Sequence, residues 1–92
     1  MNKWQHKVDK TEVKALQFVV GIDSQLVVDH IGHLLDFDFG TGEGEDVNSI
    51  TLYSKHLGDI DVKPKDYIVV NSENEVTAVD ECNFVENYKK VE

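Results

Sequence analysis

From residue 49 to residue 79 the chain repeats one pattern: a short apolar or alternating run, then a polar break of two to four residues. The runs are 49–54 around Ile50 and Leu52, 57–62 around Leu57, Ile60 and Val62, 67–70, and 75–79. Their length and their Val and Ile content mark them as strands. The breaks are Lys55-His56, Lys63-Pro64-Lys65-Asp66 and Asn71-Ser72-Glu73-Asn74. A parallel pair needs a crossover of about a dozen residues or more, and these breaks hold only tight turns, so the strands must pair antiparallel. The second break suits a type I turn with proline at its second position, and the third a hairpin turn.

The residues before this array are more varied. Residues 1–11 read as an exposed lead-in carrying one large aromatic, Trp4. Residues 12–20 alternate well enough for a strand with Leu16, Phe18 and Val20 on one face, ended by Gly21. Asp23 or Ser24 can cap a helix over residues 23–37, where Val27, Ile31, Leu34 and Leu35 fall at helical spacing and Leu26 widens the stripe. Gly32 inside that helix costs about 1 kcal/mol relative to alanine. Residues 36–48 hold three of the six glycines and five acidic side chains, and read as an acidic, glycine-rich loop. Near the C-terminus Phe84, Val85 and Tyr88 suit a short helix capped near Asp80. The expected order is β-α-β-β-β-β-α: an α+β fold in which one antiparallel sheet of four to five strands carries a helix on one face. A length of 92 residues fits a single domain, 1–92.

Charge narrows the function. Eighteen acidic residues face nine basic ones, all lysine, for a net charge of −9. Arginine, which forks onto phosphate, guanine and carboxylate, is absent, and this argues against direct binding of nucleic acid or an anionic membrane. Between residues 15 and 54 there is no basic residue and there are seven acidic ones. No apolar run approaches the roughly 20 residues of a membrane span, and the expected location is the cytoplasm. Cys82 is the sole cysteine; beside Asp80 and Glu81 it has no activating base and is expected to be a buried structural thiol.

The motifs that could carry chemistry are incomplete. His30-x-x-His33 with Asp29 and Asp36 has metal-ligand residue types but lacks the convergent second pair that zinc requires. Asp36-x-Asp38 opens like a calcium loop, then places Gly40, Thr41 and Val47 where that loop needs an oxygen ligand, a glycine and a bidentate glutamate. Gly40-x-Gly42-x-Gly44 has no lysine and stands among carboxylates that repel phosphate. The expectation is a protein without catalytic residues, metal or cofactor.

Lys-Trp-Gln-His-Lys-Val at residues 3–8, Val13-Lys14-Ala15-Leu16-Gln17-Phe18, Ile50-Thr51-Leu52, Pro64-Lys65-Asp66-Tyr67-Ile68-Val69 and Phe84-Val85-Glu86-Asn87-Tyr88 together resemble a family of small uncharacterised tailed-phage and prophage proteins. That family reads as a basic-aromatic start, V-x-A-I-Q-(F/W), a T-L-E-G strand, P-G-D-(W/Y)-I-(I/V) and a terminal F-x-x-x-Y. Lys65 stands where the family has glycine, and the family's cysteine would fall at Val79 rather than Cys82. The resemblance implies a phage gene product at work in the cytoplasm of a bacterial host, and brings no activity with it.

Charge and resemblance together point to a stoichiometric inhibitor of anti-defence (for example anti-CRISPR) or host-takeover type. It would occupy a basic site on a host protein, such as a nucleic-acid-binding defence enzyme, by imitating the charge of nucleic acid. The expected partner-facing residues are Asp36, Asp38, Glu43, Glu45 and Asp46, with Trp4 and Tyr53 as apolar anchors. The alternatives are a self-associating structural or accessory protein, present as a homo-oligomer, and a protein that sequesters a small ligand.

Overall fold

The computed structural model describes residues 3–41, 47–55 and 57–91. Among these described residues, eight strands and two helices follow in the order β1 (Lys3–His6), β2 (Glu12–Gln17), α1 (Ser24–Ile31), β3 (Asp36–Thr41), β4 (Val47–Ser54), β5 (Gly58–Val62), β6 (Tyr67–Val70), β7 (Val76–Val79), α2 (Glu81–Asn87) and β8 (Tyr88–Lys90). The class is α+β, and every strand pair is antiparallel. The strands form two sheets where the sequence suggests one. Five make a sheet in the order β7-β6-β2-β1-β8, and three make a second in the order β3-β4-β5.

Two stretches are strands that the sequence does not announce. Lys3–His6 is polar, but it pairs with β2 on one side and with β8 from the far end of the chain on the other. Residues 36–41 belong to a strand rather than a loop, because Asp36-Phe37-Asp38-Phe39 alternates and only the phenylalanines turn inward. An antiparallel sheet with one wet face accepts carboxylates at every second position.

Helix α1 begins where expected, with the Asp23 side chain accepting from the Gln25 amide. It stops at Gly32, more than a turn short of residue 37. Gly32 caps the end of the helix rather than lying inside it, its amide donating to the Val28 carbonyl at 2.8 Å, and a Cβ there would stand 2.5 Å from that oxygen. Leu34 and Leu35 lie beyond that end, half-buried, and Leu26 is exposed. Helix α2 is capped by Asp80, whose carboxylate accepts from the Asn83 amide.

The five-stranded sheet has apolar clusters on both sides. Ile68 and Val70 of β6 join Val27 and Ile31 of α1 and Ile50 and Leu52 of β4 in the larger cluster. On the alternate positions Ala15 and Val69 meet Phe84 of α2. Phe84 stacks between Tyr67 at 4.0 Å and Tyr88 at 4.7 Å, with Trp4 edge-on at 4.7 Å. Such pairs contribute about 0.5–1.5 kcal/mol each beyond area burial. Trp4, Tyr67, Phe84 and Tyr88 thus meet in one aromatic cluster.

The turn before β6 departs from expectation. Lys65 has φ +78°, and the Asp66 amide reaches the Lys63 carbonyl at 3.0 Å. A positive φ at the third position after Pro64 at the second is the type II pattern rather than type I. Lys65 therefore holds a backbone conformation that glycine adopts without strain.

Candidate functional site

The register of the three-stranded sheet assembles the most unusual surface of the molecule. Phe37, Leu52 and Ile60 are cross-strand neighbours, as are Phe39, Ile50 and Val62, and all six point into the larger apolar cluster. The residues between them must point the other way. Asp36 pairs with Tyr53 and Tyr53 with Asp59; Asp38 pairs with Thr51 and Thr51 with Asp61. The outer face is therefore two parallel rows, each with a hydroxyl side chain in the middle and an aspartate at either end.

All four aspartates are exposed. None sits directly opposite another, because β4 places Tyr53 and Thr51 between them, and this avoids the closest like-charge pairing. The hydroxyls are tied into the rows. Tyr53 donates to the Asp38 carboxylate at 2.6 Å, and Thr51 to Asp61 at 3.4 Å. The Asp38 hydrogen bond, followed by burial and the charges of Asp38, Asp59 and Asp61, holds the Tyr53 phenol above its usual range. No lysine neutralises the face: among the described residues no lysine nitrogen lies within 4.0 Å of a carboxylate, and the one close contact of a basic side chain with a carboxylate is that of the His6 ring with Asp9, at 3.6 Å.

Of the residues singled out in the sequence, Asp36, Asp38 and Tyr53 thus come together on one face. Asp59 and Asp61 join them unannounced, although Asp59-Ile60-Asp61-Val62 repeats the alternation of Asp36-Phe37-Asp38-Phe39. Glu43, Glu45 and Asp46 lie outside the described residues. Trp4 is elsewhere, half-buried in the aromatic cluster, with its indole Nε1 enclosed and without a hydrogen-bond acceptor.

The other candidates separate. His30 is buried, its Nε2 is 2.9 Å from the Ile68 carbonyl oxygen, and burial lowers its pKa. With Ile68 O as acceptor, the neutral ring donates from Nε2. His33 is exposed. Among the described residues no group of three or more His, Cys, Asp or Glu side chains is placed to hold a metal ion. Cys82 is exposed on α2 instead of buried. An open cleft of about 780 Å3, lined by His33, Asp36, Tyr53, Lys55 and Glu75 among others, borders the acidic face at one end.

No protein-family model, curated protein or solved structure matches the chain. Among the described residues no helix is long and apolar enough to cross a membrane.

Proposed function

We propose that the chain is a non-enzymatic phage protein that binds a basic site on a host protein, acting there as a stoichiometric inhibitor of anti-defence or host-takeover type. The observation that carries the basic-partner reading is the array of Asp36, Asp38, Asp59 and Asp61. Alternate residues lie about 7 Å apart along a strand and neighbouring strands about 4.8 Å apart, so the Cα atoms of the four aspartates mark a rectangle of roughly 7 by 10 Å. The array is borne on backbone that ladder hydrogen bonds hold in place, and it needs little reorganisation on binding. With a net charge of −9 behind it, the face draws in a positively charged groove, for which nucleic acid would compete. The phage origin rests on the sequence resemblance.

The test is a face-neutral variant, Asp36→Asn with Asp38→Asn, Asp59→Asn and Asp61→Asn. The replacements keep side-chain size and touch none of the inward residues. Wild type and variant, immobilised in parallel, are exposed to a bacterial lysate at low and at physiological salt. The expected result is a basic protein retained in stoichiometric amount by the wild type and displaced by added DNA. Retention should fall about tenfold or more with the variant, since exposed charges act as a group. Equal retention by wild type and variant would overturn the reading.

A further inference from the structure

We infer that the partner reaches this face as an extended segment that adds a fourth strand to the open edge of β3. Its basic side chains would lie over Asp36 and Asp38, and its apolar side chains beside Phe37 and Phe39. The inference rests on the basic-partner reading above and specifies how the partner is shaped.

Three observations support it. The first is the edge itself. In the order β3-β4-β5, β5 runs beside β7 of the larger sheet, whereas β3 is terminal. Among the described residues the backbone of β3 makes no backbone hydrogen bond outside its ladder with β4. An edge strand in that condition presents a row of amides and carbonyls ready for pairing.

The second is the apolar face beneath, which is left partly open along β3. Ile50 and Leu52 of the central strand β4 are fully buried, while both inward residues of β3, Phe37 and Phe39, remain half-buried, as does Ile60 of β5. The two rings meet edge to face at 5.3 Å, and their outer flanks are where the inward side chains of a further strand would fall.

The third is the sign of the charge. A second copy of this chain could pair β3 with β3, but each antiparallel register that keeps the phenylalanines inward and pairs more than one of residues 36–39 sets Asp36 or Asp38 against an aspartate of the copy. Like charges directly opposite destabilise such a pair. The same positions favour lysine or arginine on a strand of different sequence. The register shift at Gly40 and Thr41 limits regular pairing to residues 36–39. The fitting occupant is therefore a short segment of alternating basic and apolar residues.

Three labelled peptides of one composition test this against the full-length chain by fluorescence anisotropy at low salt. One is alternating (Lys-Val-Lys-Val-Lys-Val), one is in blocks (Lys-Lys-Lys-Val-Val-Val), and one is alternating with every backbone amide methylated. The expected result is that the alternating peptide binds, that the other two bind about tenfold or more weakly, and that the alternating peptide shifts the backbone amide resonances of residues 36–39. Equal binding of all three would overturn the inference and leave the basic-partner reading standing, because attraction would then depend on charge alone. No binding of the alternating peptide would also overturn it, and whether the basic-partner reading falls as well is decided by the lysate comparison. A peptide-free dimer joined through the same amides, seen by light scattering and by those resonances, would assign the edge to a second copy and overturn the inference.

Discussion

Replacing Lys65 by glycine should make the protein more stable. Lys65 sits at φ +78° in the turn Lys63-Pro64-Lys65-Asp66, and a non-glycine residue held in the left-handed region costs roughly 1–2 kcal/mol. Glycine removes that cost but gives the unfolded chain more freedom, worth about 0.4–1 kcal/mol in the other direction. The difference favours Lys65→Gly by about 0.5–1 kcal/mol, a rise of roughly 2–8 °C in Tm for a domain of this size. The hydrogen bonds at this position are made by the backbone and survive the change: the Lys65 amide donates to the Phe18 carbonyl at 2.6 Å, and its carbonyl accepts from the Gln17 side chain at 3.1 Å. The Lys65 side chain is exposed. Lys65→Ala separates conformation from charge, because alanine loses the ammonium yet keeps the strain, and it should not raise the Tm. Thermal unfolding followed by circular dichroism, with urea titration for the free energy, measures both variants. A Tm for Lys65→Gly at or below that of Lys65→Ala would refute the reasoning.

Leu52→Ala, at a fully buried position in the middle of β4, should cost about 2–5 kcal/mol, whereas Leu34→Ala, at a half-buried position beyond the end of α1, should cost less than half as much; urea unfolding that ranks them the other way would contradict the packing described. His30 gives a pH dependence. Burial lowers its folded pKa, so the unfolded chain binds the proton more readily. This contribution to stability is complete above the ordinary imidazole value of about 6.5 and is lost as the pH falls below it toward the folded pKa. His30→Gln, which can still donate to the Ile68 carbonyl, should flatten the fall in urea midpoint between about pH 7 and pH 5; an unchanged slope would show that His30 does not titrate in this way.

What the sequence reveals here is local. β6 spans residues 67–70, as the sequence indicates, because a proline turn and an asparagine turn bracket four apolar residues, and of the cap candidates Asp23 or Ser24 the structure uses Asp23, with Asp80 capping the second helix. What stays hidden depends on pairing across the chain. Lys3–His6 has no apolar alternation to offer and becomes a strand only between β2 and β8. Residues 36–39 do alternate, but high charge and the glycines that follow outweigh that signal when the segment is read alone. The candidate site divides in the same way. Asp36 and Asp38 stand out in an acidic stretch, whereas Asp59 and Asp61 lie outside it and meet them only through the registers of β4. A search for runs of charge misses a face whose members arrive every second residue from two different strands. The surroundings of Trp4 likewise depend on distant pairing: β8 brings Tyr88 to the same strand pair, and the indole lies half-buried in the aromatic cluster.

Everything from α1 through β5 leaves the five-stranded sheet after Gln17 and returns to it at Tyr67, and these are register partners on adjacent strands. Just beyond them the Phe18 amide donates to the Asp66 carbonyl at 2.8 Å. In chain terms the acidic lobe is an insertion between two neighbouring antiparallel strands, a place where a tight hairpin would have sufficed. Its two ends arrive side by side whatever lies between them, so its length and surface can change without re-registering β2 and β6. The inward residues lack that freedom, because Ile50, Leu52 and Val62 cover Ile68 and Val70 and any replacement must do the same. Mutational drift is thereby directed to the outward positions of β3, β4 and β5, and the acidic face is the part of this lobe that can be rewritten most freely.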